Sequence, residues 1–186
     1  MRELVVLVGL PGSGKTSFRA RHPEWAVVSK DDIRRNVFHR DFDLEYEDAV
    51  ERIFSAMLVE AVDSPARVVC VDNTNLTRAA RAPLIEVARL SDRLPIAYVM
   101  PHLPLEVLYA RKLRQLEELA RNHPEITVGG FPEARYAAMY DQYEQVSEDE
   151  GFARVFRNVE PIPVKKRTRR ARRSVRSLEP LPLFAQ

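Results

Sequence analysis

Directly behind the apolar run Leu4 to Val8 stands the stretch Gly9-Leu10-Pro11-Gly12-Ser13-Gly14-Lys15-Thr16. An apolar run with no polar alternation reads as a strand buried on both faces. The residues after the stretch, Ser17 to Arg21, are helix-compatible as far as His22-Pro23, where the proline turns its predecessor away from the helix. Strand, glycine-rich turn and helix, in that order, are the context that the pattern G-x-x-x-x-G-K-[ST], the P-loop, requires. In such a turn Gly9, Gly12 and Gly14 let successive N–H groups converge on one anion at a helix N-terminus. Gly9, Gly12, Ser13, Gly14, Lys15, Thr16 and Ser17 are therefore expected to hold the phosphates of ATP or another NTP. Lys15 would set its charge against the β- and γ-phosphates, and the Thr16 hydroxyl would ligate Mg2+.

Strand and helix periodicities alternate along the rest of the chain. Strands are expected at Trp25–Ser29, Arg67–Asp72, Leu94–Met100 and Phe152–Asn158. Helices are expected at Asp31–Phe38, Glu45–Val62, Arg78–Leu90, Leu105–Arg121 and Pro132–Val146. The pattern implies an α/β fold with a central parallel sheet flanked by helices on both faces and ligands at the carboxyl ends of the strands. Cys70, the single cysteine, lies inside the apolar run ARVVCV and reads as a small core residue.

Two further strand ends carry chemistry: SKDDIRR follows the second strand and DNTN the third. Asp31 and Arg34 stand three apart, so one helix face can present both to one cleft. Asp31 can accept a hydroxyl proton while Arg34 holds an acceptor phosphate; alternatively, Asp31 and Asp32 only stabilise a helix N-terminus. Asp72 closes a buried strand, where an acid supports Mg2+ or its water shell, or opens an Asx turn. Asn73 and Asn75 either hold that loop or touch a substrate. After Pro104 come Arg111, Lys112 and Arg114, on a helix that is either a lid supplying an arginine or a solvated face.

GLPGSGKTS, SKDDIRR, VDNTNL and PLEVLYARKLR, in this order, resemble the kinase module of phage-type 5′-hydroxyl polynucleotide kinases. FPEARYAAMYDQYE looks like that family's helix with a Met-Tyr pair, and the resemblance spans about residues 3 to 146. It implies a P-loop kinase fold with a helical lid and transfer of the ATP γ-phosphoryl group to a 5′-hydroxyl of DNA or RNA. Asp31 would be the general base, Arg34 the grip on the acceptor's 3′-side phosphate and Arg111 the lid arginine. The sequence departs from some relatives in having one residue more between Asp72 and Thr74-Asn75. Broader relatives act on small molecules, so a nucleoside, sugar or antibiotic kinase remains an alternative, as does a nucleic-acid-binding ATPase switch.

The net charge of +2 conceals an asymmetry. Lys165 to Arg176, KKRTRRARRSVR, holds eight Lys and Arg and no acid, leaving residues 1–164 with 21 Lys and Arg against 26 Asp and Glu, a net −5. Residues 1–160 read as the kinase domain and 161–186 as a basic tail, disordered on its own and suited to nucleic acid. Within PLPLFAQ, Leu181, Leu183 and Phe184 resemble short apolar peptides that dock on bacterial sliding clamps, with Pro180 where a glutamine is expected; the alternative is a fold-back onto an apolar groove of the domain. With no membrane-spanning apolar segment and a strand at the N-terminus, the expected location is the cytoplasm of a bacterial or phage-infected cell. Deleting residues 165–186 is expected to weaken oligonucleotide binding and flatten its salt dependence by ~0.7–0.9 for each phosphate the tail neutralises. Turnover of a mononucleotide acceptor should be unchanged. A titration of affinity against salt checks this, and an unaltered slope would remove the arm from acceptor binding.

Overall fold

Five parallel strands form the centre of the computed structural model, which describes residues 1–159. The basic run at 165–176 and the apolar peptide at 180–186 lie outside the described residues. In chain order the elements are β1 (Glu3–Val8), α1 (Lys15–Arg19), β2 (Ala26–Val28), α2 (Lys30–Phe38), α3 (Glu47–Asp63), β3 (Val68–Val71), α4 (Arg78–Leu90), β4 (Leu94–Val99), α5 (Leu105–Asn122), α6 (Glu133–Asp141) and β5 (Arg154–Arg157). The strand order is β2-β3-β1-β4-β5, with Val5 of β1 opposite Cys70 on one side and Ile96 on the other. The expected α/β architecture is present.

The central position of β1 explains its unbroken apolar sequence: Leu4 to Val8 are all fully buried. Alternate side chains go to opposite faces. Leu4, Val6 and Val8 pack with Val50, Phe54 and Leu58 of α3 and Leu84 of α4. Val5 and Leu7 meet Cys70, Ile96, Met100 and Phe18 of the short α1, with Trp25 and Tyr98 against them. A third cluster, Leu10, Leu76, Leu108 and Tyr136, joins the glycine-rich loop to α5 and α6.

Most expected elements differ from the observed ones only at their ends. The first helix is displaced: it begins at Lys15 rather than Ser17 and stops at Arg19 rather than Arg21. The amides of Arg21 and His22 bond three residues back, to Phe18 and Arg19, which tightens the chain into a turn before Pro23. Ser29 is not the end of a strand but the cap of α2, its hydroxyl accepting from the Asp32 amide at 3.3 Å. The helix expected over 132–146 ends at Asp141. Beyond it, the Glu144 amide bonds the Leu76 carbonyl and the Glu144 carboxylate accepts from the Arg78 amide, so tertiary partners displace the helical ones.

Arg81, a charged residue with no exposed surface, organises that segment. Its Nε and Nη2 hold the Glu150 carboxylate at 2.6 and 2.7 Å, and Nη1 donates to the carbonyls of Asn75, Leu76 and Glu144. One guanidinium thus ties the loop after β3 to the chain entering β5. Removing one member of a buried pair leaves the other charge without compensation. Glu150→Ala is therefore expected to cost about 3–5 kcal/mol, a fall in Tm of roughly 6–20 °C for a chain of this size. Thermal unfolding followed by circular dichroism measures it, and an unchanged Tm would show that the pair is not needed for stability.

Candidate active site

The glycine-rich loop leaves β1 at the carboxyl edge of the sheet, where the Gly9 amide bonds the Thr74 carbonyl at 3.0 Å. Gly12 and Gly14 have φ of 82° and 101°, a region that side chains disfavour. A Cβ at Gly12 would also run into the Leu108 carbonyl oxygen of α5. The loop encloses a buried Ser13 hydroxyl that has no hydrogen-bond partner, while Thr16 and Ser17 are exposed at the first turn of α1. Lys15 folds back across the loop, its Nζ donating to the carbonyls of Gly9 and Leu10 at 2.6 and 2.9 Å. Burial lowers its pKa to about 8, against the pull of Asp72 and Asp31. Left-handed glycines, an unsatisfied hydroxyl and a retracted lysine suit an anion.

Asp31 and Arg34 do share one face of α2. Arg34 Nη1 donates to the Asp31 carboxylate at 2.5 Å, and Nε and Nη2 grip Glu47 at 2.7 Å each. Burial works against the Arg34 charge, but the Glu47 and Asp31 carboxylates outweigh it and raise its pKa. A guanidinium has five N–H donors; three are used here, so two remain. Asp31 itself is exposed at 57%. Glu47, the first residue of α3, has no sequence signal linking it to Arg34. Only the packing of α3 beside α2 brings them together.

Asp72 is buried and faces Arg19, whose Nη1 lies 3.1 Å from it and 2.7 Å from Asp32. Burial pushes the Asp72 carboxyl upward, with Lys15 and Arg19 drawing it back. Asp32 is thus tied to Arg19 and turned from Asp31. Both asparagines make framework hydrogen bonds and also line the cavity. Asn73 Oδ1 accepts from the Lys30 amide at 3.1 Å, and Asn75, at φ 48°, donates to the Leu7 carbonyl at 2.7 Å. Among the described residues no group of three or more His, Cys, Asp or Glu can hold a metal ion. Mg2+, which is usually held by one or two protein ligands plus phosphates, does not need one. Thr16 and Asp72 both line the cavity where such a site would lie.

A cavity of about 1110 Å³ joins these parts, bounded by the P-loop, α2, α3, α4 and the α5–α6 arm. Among the basic residues of α5, Lys112 lines it and Arg111 does not. Lys112 lies 3.6 Å from Asp41 and 5.5 Å from the centre of the Phe131 ring. Arg111 is exposed, with its Cβ 3.3 Å from where a Gly12 Cβ would stand. Lys112 had a readable signal, since it occupies the i+4 position between the buried Leu108 and Leu116. In the Met-Tyr helix, Met139 lines the cavity and the Tyr140 hydroxyl donates to the Leu103 carbonyl. Tyr136, which is fully buried, donates to the Pro11 carbonyl of the P-loop at 2.8 Å. Among the described residues no helix is long and apolar enough to cross a membrane.

No match is found among curated proteins. Among solved structures, a chain of the Pnkp1/Rnl/Hen1 RNA repair complex aligns with a TM-score of 0.60 at 22% identity, over 76% of this chain and 43% of that one. This protein therefore spans less than half of that relative's length. Kti12 of Chaetomium thermophilum, in complex with ADP-AlF3, gives 0.56 at 22% identity, over 83% of this chain and 87% of its own. A putative kinase from Chloroflexus aurantiacus gives 0.62 at 16%, over 84% and 87%. At these identities the likeness is one of fold, and the fold is that of the P-loop kinases. The family model of the AAA domain matches residues 4–145, most of the chain, and the protein belongs to that family.

Proposed function

We propose that the protein transfers the γ-phosphoryl group of ATP or another NTP to the 5′-hydroxyl of a DNA or RNA strand. The observation that carries this reading is an exposed carboxylate, Asp31, paired with an Arg34 that Glu47 holds in place, on the same cavity as the P-loop lysine. The loop of Gly9, Gly12 and Gly14, with Ser13, Lys15, Thr16 and Ser17, holds the donor phosphates. Thr16 and Asp72, which line the cavity beside the loop, would hold Mg2+, whose charge would offset that of the phosphates. Asp31 takes the proton of the acceptor hydroxyl. The hydroxyl oxygen forms the new bond to phosphorus as the bond to the β-phosphate oxygen breaks, and the nucleoside diphosphate leaves. The two free N–H groups of Arg34 hold the phosphate on the 3′ side of the acceptor. Arg111, beside Gly12, is the lid cation for the donor phosphates. Kti12, bound to ADP-AlF3, and the RNA repair complex are neighbours in keeping with a nucleotide donor and a nucleic acid acceptor.

Asp31→Asn keeps the shape and removes the base. It is expected to lower kcat by ~10²–10⁴-fold while ATP affinity stays unchanged. Incubating γ-labelled ATP with 5′-hydroxyl oligonucleotides and nucleosides measures the transfer. Label on nucleosides alone would replace the acceptor by a small molecule, hydrolysis without transfer would favour a switch, and full activity in Asp31→Asn would remove it as the base.

Lys15 makes donor binding pH-dependent. A bound phosphate favours the charged amine, so the complex has a higher lysine pKa than the free protein's value of about 8. Affinity is thus full below that value and declines above it, by up to about tenfold per pH unit, until the pKa of the complex is reached. Calorimetric titrations across this range are expected to show the decline in the wild type and a flat, weak profile in Lys15→Met. A flat wild-type profile would contradict it.

A further inference from the structure

Almost every cation on the acceptor side of the cavity already has a carboxylate. Lys30 pairs with Glu51, Arg34 with Asp31 and Glu47, and both Arg35 and Lys112 with Asp41. Arg135 differs. It stands near the start of α6, partly buried and lining the cavity, and its guanidinium has no hydrogen bond or ion pair among the described residues. Two phenyl rings hold it instead, with the guanidinium carbon 3.8 Å from the centre of Phe42 and 5.3 Å from that of Phe131.

Such stacking engages the faces of the guanidinium and leaves its in-plane N–H groups unspent. A partly buried cation without an acid is costly unless something anionic completes it. Phe42 carries a second arginine: Arg34 lies 5.6 Å from the same ring centre. One ring therefore touches two guanidiniums, and both of these arginines line the same cavity. Arg34 keeps two free donors, and Arg135 keeps all of its own.

We propose that Arg135, stacked between Phe42 and Phe131, binds a second backbone phosphate of the acceptor strand, beyond the one held by Arg34. This rests on the polynucleotide kinase reading and deepens it, since a mononucleotide has no phosphate to place there. The cavity volume is in keeping with it, exceeding the ~300–1,000 Å³ usual for one small ligand.

The test uses the full chain and two acceptors, a 5′-hydroxyl nucleoside 3′-monophosphate and a 5′-hydroxyl tetranucleotide. Arg135→Met keeps an apolar stem between the rings and removes the donors. It is expected to raise KM for the tetranucleotide roughly tenfold, the usual scale for losing a charged hydrogen bond. KM for the monophosphate should not change, and the salt slope of tetranucleotide binding should fall by ~0.7. Arg135→Lys, which retains the charge, should recover much of the slope. A Tm loss in Arg135→Met with wild-type KM on both acceptors and an unchanged slope would make Arg135 a staple and overturn the proposal alone. A wild type that labels no oligonucleotide would instead overturn the polynucleotide reading, and the second phosphate site with it.

Discussion

The structure depends on β1 being paired on both edges and covered on both faces. A strand so placed has no free edge and no polar face, so its sequence is a plain apolar run that can end only at the rim of the sheet. Parallel pairing with β3 and β4 brings three carboxyl ends to the same rim. The P-loop, the Asp72 loop and the root of the α5 arm therefore adjoin without any contact among their side chains being required. β2, paired with β3, adds the start of α2 and with it Asp31.

On that rim, charge is arranged by pairing. Arg19 spans Asp32 and Asp72, Arg34 spans Asp31 and Glu47, and Asp41 receives Arg35 and Lys112. Pairing on this scale holds long side chains in one geometry and limits the charge left for a ligand to meet. Lys15 follows another rule. With carbonyls rather than an acid as its partners, it gives up part of its hold on the proton until an anion arrives.

The helical arm is fastened at several points. Tyr136 reaches the Pro11 carbonyl, and Thr127 bonds His39 and Asp41 across a short parallel bridge to the end of α2. The glycine-rich loop, α2 and the arm are thereby linked. Arg81 secures the far side, where the chain returns from the arm to the last strand.

The local features were legible in the sequence because they depend on neighbours along the chain. Gly12 and Gly14 needed only their backbone preference, β1 its apolar run, and Asp31 and Arg34 their spacing of three on one helix. Lys112 was legible too, as a lysine at the i+4 position between Leu108 and Leu116 on one stripe of the helix. Other features depended on chain segments that meet only after folding. Glu47 joins Arg34 from another helix, Arg135 meets Phe42 across the cavity, and the helix expected over 132–146 stops at Asp141 because Leu76 and Arg78 take its backbone partners. The sequence by itself determined the α/β architecture and the phosphate-binding loop, since periodicity and backbone preference are local properties. Which cations remain unpaired was decided by the tertiary structure alone, because ion pairing is a matter of distance in space and not along the chain.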